Sequence, residues 1–145
     1  MVRPQRDVWV MLIFLATTSV VYWIAAGEHF KIRPVKSSNF VTFVQDRQPV
    51  VVDLRENNER SRMPLTYPHL IHHPFLSLMD AVEHFPMDPE RDYLLVCSDG
   101  NRARLIATQF AEIGRTMYYL QNGLWGLTPQ QLGVLTPATV PQSAQ

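Results

Sequence analysis

The distribution of apolar and polar residues divides the chain into one long uncharged segment and a series of short alternating elements. Residues 8–27 carry no charged side chain over 20 positions. As a helix rising about 1.5 Å per residue, this segment would reach about 30 Å, the thickness of a bilayer core. The pattern predicts a transmembrane helix over residues 8–27, preceded by a tail of residues 1–7.

Two alternatives to a membrane anchor stay open for this segment. One is a buried helix of a soluble core. The other is a cleaved signal peptide, since Ala25, Ala26 and Gly27 offer small residues at a cleavage site. The run is longer than most signal-peptide apolar regions, which favours an uncleaved anchor. We therefore expect a single-pass protein of a bacterial inner membrane.

The side of the membrane that carries the remaining domain is poorly determined by charge. Arg3 and Arg6 precede the apolar segment, while Lys31, Arg33 and Lys36 follow it closely. Basic flanks favour the cytoplasmic side, and the two counts nearly balance. A short basic tail is typical of a signal anchor whose N-terminus is cytoplasmic, so an extracytoplasmic domain is slightly favoured.

Beyond the apolar segment, short β-rich runs alternate with stretches of helical periodicity. This order is typical of βα units and a mostly parallel sheet. We expect one α/β domain over residues 28–134, a solvent-facing charged run over residues 56–62, and a disordered tail over residues 135–145. The predicted strands cover residues 49–54, 70–73, 93–97 and 117–120, and the predicted helices cover residues 40–46, 77–85, 101–113 and 129–132.

Composition and charge exclude several classes of partner and cofactor. The chain has 13 basic and 13 acidic side chains and no basic run, so no net field would recruit nucleic acid. The single cysteine excludes an intrachain disulfide and a multi-cysteine metal site. His69, His72 and His73 are flanked by prolines and lack nearby clustered carboxylates, so we expect no metal ligands among them. There is no glycine-rich phosphate loop, and we expect no cofactor.

The single cysteine lies where a predicted strand meets a predicted helix. Cys97 ends an apolar strand, a bend with Gly100 follows, and a helix begins directly afterwards. Backbone amides and the positive end of a helix favour a thiolate at such a corner. Arg102 adds a positive charge there or anchors the bend by bridging to a carboxylate. The alternative is an inert cysteine that fills the end of a buried strand.

Three motifs in register carry a resemblance to a known family. Residues 97–102 read C-x-x-G-x-R, and residues 50–55 form an apolar strand ending in Asp-x-Arg. Residues 119–126 form a strand followed by a glycine and a tryptophan. In order and separation these motifs resemble the rhodanese family of sulfurtransferases over residues 30–134.

The resemblance implies an α/β domain around a five-stranded parallel sheet flanked by helices, and it implies an enzyme. Cys97 would attack the outer sulfur of a donor such as thiosulfate or a persulfide, and would pass that sulfur to a thiol or cyanide acceptor. Small-molecule or protein donors and acceptors are the partners implied, and the oligomeric state stays open.

The resemblance also assigns roles to residues around the cysteine. The backbone amides of the loop would cradle a persulfide on Cys97. Asp53 would help to hold this loop and Arg55 would support it from the neighbouring strand end, whereas Trp125 would serve packing rather than substrate contact. The loop residues are Ser98, Asp99, Gly100, Asn101 and Arg102.

Departures from the family pattern leave other functions open. The phosphatase and arsenate-reductase relatives use C-x5-R, one residue longer than the loop here, which disfavours both activities. Asp99 places an acidic side chain beside an anionic donor, so thiosulfate is expected to be a poor substrate. The residues 68–74 lack the glycine that relatives often carry beside the site. A membrane-tethered persulfide carrier or an interaction module on the same fold is the main alternative to an enzyme.

Overall fold

A computed structural model describes residues 32–136 of the chain. The predicted transmembrane helix over residues 8–27 and the tail of residues 1–7 lie outside the described residues, as does most of the predicted C-terminal tail. Among the helices that the structure describes, none is long and apolar enough to cross a membrane.

Five strands form one parallel sheet with helices between them. The spatial order of the strands is β1-β5-β4-β2-β3, and every neighbouring pair is parallel. The strands are β1 (Arg33–Val35), β2 (Val50–Asp53), β3 (Leu70–His72), β4 (Tyr93–Val96) and β5 (Tyr118–Leu120). The helices are α1 (Phe40–Arg47), α2 (Asn57–Arg62), α3 (Phe75–Ala81), α4 (Asn101–Glu112) and α5 (Pro129–Leu132), with 3-10 turns at Ser37–Asn39, Val82–His84 and Leu124–Gly126.

The central strands are covered on both faces, which explains their nearly continuous apolar sequence. In β2, Val51 and Val52 are fully buried and point to opposite faces. Val52 and Cys97 belong to the core on the side of α3 and α4, while Val51 belongs to the core that includes Phe40 of α1. The five-stranded parallel sheet that the family resemblance implies is confirmed.

Several local signals that the sequence predicts are present in the structure. Gly114 follows α4 with a positive φ of +74°, the conformation expected of a glycine that ends a helix. Thr128 caps α5 by accepting the N–H of Gln131, and Pro129 stands at the first helical position. These residues end and begin helices where the sequence places those boundaries.

The sequence pattern misses two elements and misplaces several boundaries, among them the start of α3, which it predicts at Ser77 and which lies at Phe75. It places no strand at β1 and no helix at α2, where it expects only a charged, solvent-facing run. Leu135, which it assigns to the tail, is fully buried, and its carbonyl accepts the N–H of Thr66 at 3.0 Å. The domain therefore extends at least to Leu135.

Candidate active site

The loop after β4 brings a backbone N–H group to the sulfur of Cys97. The N–H of Gly100 donates to Sγ at 3.1 Å. Gly100 has a φ of +92° and stands directly before α4, so the loop turns sharply into the helix. Cys97 itself is completely buried and packs within the core, as expected of an inert cysteine, but the amide aimed at its sulfur also suits an anion there.

The segment after β5 fixes the position of this loop through backbone contacts. The N–H of Leu124 donates to the Cys97 carbonyl, and the N–H of Trp125 donates to the Ser98 carbonyl, both at 2.9 Å. A Cβ on Gly123 would lie 2.4 Å from the Ser98 carbonyl oxygen. Only glycine allows this approach. The motif of residues 119–126 therefore positions the loop of residues 97–102.

The Asp99 carboxylate lies next to the cysteine sulfur at the start of α4. The Sγ of Cys97 is 3.6 Å from Oδ1 of Asp99, and that oxygen also accepts the N–H of Asn101 at 3.0 Å. The Asn101 side-chain amide donates to Oδ2 at 2.8 Å. These hydrogen bonds, led by the Asn101 backbone N–H, lower the pKa of Asp99 below its ordinary value. A carboxylate thus stands beside the sulfur and holds the first turn of the helix.

Arg102 is bound by a glutamate from a distant part of the chain. Its guanidinium donates to Glu59 through Nη1 at 2.8 Å and through Nη2 at 2.5 Å. The Ser98 hydroxyl donates to the same carboxylate at 2.6 Å. Of the two roles predicted for Arg102, the structure has the bridge to a carboxylate.

This pairing shifts the protonation of both partners. The hydrogen bonds from Arg102, supplemented by that from Ser98, lower the pKa of Glu59 to about 2. The Glu59 carboxylate raises the pKa of Arg102 above its ordinary value. Glu59 therefore stays charged at neutral pH and holds the loop against α2.

Asp53 and Arg55 form a buried ion pair with each other beside the loop. Nη2 and Nε of Arg55 donate to the two carboxylate oxygens at 2.8 and 2.9 Å. A third donor, Nη1, reaches the Met63 carbonyl at 2.9 Å. The side chains are only 2% and 1% exposed, so removing Asp53 would leave the Arg55 charge buried without a carboxylate, and removing Arg55 would leave Asp53 only Arg60, at 3.8 Å. The pair joins the end of β2 to the segment after α2, and Arg55 borders the same cavity as Ser98.

A cavity of about 150 Å³ lies beside Ser98. Trp125 borders it, yet the Trp125 side chain is 72% exposed. The prediction that Trp125 serves packing is wrong, because the 3-10 turn Leu124–Gly126 directs Leu124 into the core and leaves the next side chain outside. The cavity is lined by Arg55, Glu59, Arg62, Met63, Ser98, Leu124 and Trp125.

His72 is committed to hydrogen bonds that support this end of the sheet. Nδ1 of His72 lies 2.9 Å from Nη1 of Arg60, and Nε2 of His72 lies 2.7 Å from the Arg55 carbonyl oxygen. Because arginine only donates, Nδ1 accepts and Nε2 carries the proton. No cluster of three or more potential metal ligands occurs within residues 32–136.

Solved structures with the same arrangement are found by comparison of coordinates. The Bacillus anthracis protein CoADR-RHD aligns with a TM-score of 0.53 and 21% identity over 72% of this chain, which spans 17% of that protein. A rhodanese homologue from Thermus thermophilus aligns with a TM-score of 0.51 and 24% identity over 66% of this chain and 100% of that one. The domain has the rhodanese-like fold.

The rhodanese-like fold is recognised from structural similarity and not from sequence similarity. A Rhodopseudomonas palustris protein of unknown function, described as a possible tyrosine phosphatase, aligns equally well, with a TM-score of 0.53 and 17% identity over 65% of this chain and 77% of that one. No protein-family model and no curated protein matches the chain. At these identities the rhodanese-like fold is shared, and the chemistry has to be argued from the site.

Glu59 is the site residue that sequence reasoning misses. It lies 43 positions from Arg102 and follows Glu56 by three, in a run that shows no apolar periodicity. The spacing of Glu56 and Glu59 matches the capping box that the structure contains, in which each residue bonds the backbone of the other. That signal predicts the helix but not the partner of its glutamate.

Proposed function

We propose that the chain is a sulfurtransferase in which Cys97 carries the transferred sulfur. One observation carries this proposal: the N–H of Gly100 points at Sγ from 3.1 Å within a six-residue C-x-x-G-x-R loop. A backbone amide in this position stabilises a sulfur anion without a cofactor.

The reaction proceeds in two displacements at sulfur. Cys97 reacts as the thiolate, and its sulfur attacks the outer sulfur of the donor. A new S–S bond forms while the donor's S–S bond breaks, and sulfite or a thiolate leaves with the electron pair. A thiol or cyanide then attacks the outer sulfur of the persulfide, leaves as a new persulfide or thiocyanate, and restores the Cys97 thiolate.

The loop length favours this chemistry over hydrolysis of a phosphate ester. Arg102 follows Cys97 by five positions, and its guanidinium is bound to Glu59. Two of its donors are therefore occupied, whereas an oxyanion would need a guanidinium free to bind it bidentately. A phosphatase is therefore the weaker proposal, although the Rhodopseudomonas palustris protein of similar structure is described as a possible tyrosine phosphatase.

A second proposal is a persulfide carrier without turnover of its own, which the contact of the Gly100 N–H with the Cys97 sulfur would serve equally. Both functions need the same sulfur, so only repeated turnover with a donor and an excess of acceptor separates them. In either case we propose that residues 8–27 tether the domain to a membrane, where donor and acceptor are delivered.

Mass spectrometry of the purified full chain tests the proposal. Incubation with thiosulfate, polysulfide or glutathione persulfide is expected to add the mass of one sulfur atom to Cys97. Cyanide should then remove it, and Cys97→Ser should take up none. Cys97 that stays unmodified with every donor would exclude both the transferase and the carrier.

A further inference from the structure

The charges around Cys97 leave one carboxylate without a counter-ion. Arg102 is paired with Glu59, and Arg55 is paired with Asp53. Asp99 forms no ion pair within residues 32–136, and its partners there are the backbone and side-chain amides of Asn101 and the Cys97 thiol. Arg102 interacts electrostatically with Asp99 and Cys97, but its guanidinium is bound to Glu59, so it offsets the negative charge beside the sulfur only in part.

The Asp99 carboxylate also uses an amide that a bound anion would need. The N–H of Asn101, the first residue of α4, already donates to Oδ1 of Asp99. A donor anion that approached Cys97 would compete with this oxygen for the amide and would be repelled by its charge. Cys97 is completely buried while Asp99 is exposed, so a solvent-exposed negative charge lies 3.6 Å from the sulfur.

We propose that Asp99 is a specificity-determining residue that disfavours anionic sulfur donors such as thiosulfate relative to donors that react in a neutral form, the protonated organic hydropersulfides R–S–SH. This inference rests on the proposed function. The step balances as R–S–SH plus the Cys97 thiolate giving Cys97–S–SH plus R–S⁻, in which the electron pair of the donor's S–S bond leaves on the organic thiolate. A dianionic donor meets the Asp99 charge on approach, whereas the neutral hydropersulfide does not.

Alkylation of Cys97 measures this charge effect independently of sulfur transfer. Iodoacetamide and iodoacetate are similar in size and differ in charge, and Cys97 is the only thiol of the chain. For the wild type at pH 7, we expect the ratio of the iodoacetamide rate to the iodoacetate rate to exceed that of glutathione. In Asp99→Asn the amide oxygen still accepts from Asn101, and the ratio should fall about tenfold because a unit charge near the sulfur is removed.

Asp80→Asn provides the matched control, since Asp80 is an exposed aspartate of α3 that borders a different cavity, near the end of α4. This variant should keep the wild-type ratio. An Asp99→Asn ratio equal to that of the wild type would overturn the inference, and circular dichroism of each variant excludes loss of the fold as a cause.

Donor kinetics complete the test and separate it from the proposed function. Asp99→Asn is expected to raise kcat/KM for thiosulfate about tenfold relative to kcat/KM for cysteamine hydropersulfide, whose organic group carries no carboxylate. Sulfur transfer with an unchanged donor preference would refute the role of Asp99 and leave the transferase intact. If the alkylation ratio changes in Asp99→Asn but no donor adds sulfur to Cys97, the charge effect of Asp99 is supported and the transferase is refuted.

Discussion

At the scale of single residues, Gly100 and Gly114 separate two reasons for needing glycine. Both have a positive φ, but a Cβ on Gly100 would lie 2.2 Å from the Gln121 carbonyl oxygen, whereas nothing lies within 4 Å of one on Gly114. We expect Gly114→Ala to cost about 1 kcal/mol for backbone strain alone. Gly100→Ala should cost about 2–4 kcal/mol, because the clash with the backbone adds to the strain. Urea unfolding of both variants measures the difference.

The same pair of variants reports on the loop. Gly100→Ala should also slow the formation of the sulfur adduct on Cys97, since the Gly100 N–H would shift from the sulfur, while Gly114→Ala should form it at the wild-type rate. Equal unfolding free energies for the two variants would show that the loop yields to the added methyl group.

Residue by residue, the sequence predicts which side chains gather at the site better than it predicts their partners. Cys97, Gly100 and Arg102 are recognisable from spacing within one loop. The partnership of Arg102 with Glu59 depends on how α2 is placed against α4, which no local pattern encodes. The exposure of Trp125 escapes prediction because a three-residue turn has no periodicity from which to assign its buried side.

At the scale of elements, α2 shows why a short helix without an apolar face is missed. None of its six residues is buried, so no hydrophobic period marks it, and its N-terminal end is stabilised by the capping box of Glu56 and Glu59. The helix is nevertheless the element that delivers Glu59 to the loop. A helix can therefore contribute a residue to the site even when none of its own residues lies in the core.

The link between α2 and α4 should be sensitive to acid. The pKa of Glu59 is lowered from 4.5 to about 2 by its hydrogen bonds, chiefly those from Arg102. Stability from a depressed carboxyl pKa is present above the unfolded value and is lost as pH falls towards the folded value. The free energy of unfolding should therefore decline between pH 4.5 and about 2, and less steeply in Glu59→Gln.

Glu83→Gln is the control for this experiment, because Glu83 is an exposed glutamate of the 3-10 turn Val82–His84. Its unfolding free energy should follow the wild-type curve across the same pH range. If Glu59→Gln also follows that curve, the Arg102 pair contributes nothing to acid stability.

At the scale of the whole molecule, the alternation of short apolar runs with helical stretches is sufficient to predict a parallel α/β sheet. Four of the five strands are located by their β-branched or apolar runs. The fifth, β1, escapes because it has three residues, two of them exposed, and contains Pro34. Proline is tolerated there because β1 is an edge strand, paired on one side with β5.

The membrane anchor over residues 8–27 stays a prediction with a direct test. The full chain should remain in the membrane pellet after alkaline carbonate extraction, and a variant lacking residues 1–27 should be released into the soluble fraction. Release of the full chain would contradict an integral anchor. A reporter fused to the C-terminus identifies the side of the membrane that carries the domain.

The complete burial of the only thiol has a consequence for oxidative damage. A sulfenic acid formed on Cys97 has no second cysteine in the chain with which to condense, so its repair depends on an external thiol, and further oxidation to the sulfinic acid is irreversible. Peroxide attacks exposed thiolates most readily, and Cys97 is neither exposed nor free of a neighbouring carboxylate. Burial and the neighbouring carboxylate should thus slow the reaction of peroxide with the only cysteine sulfur of the chain.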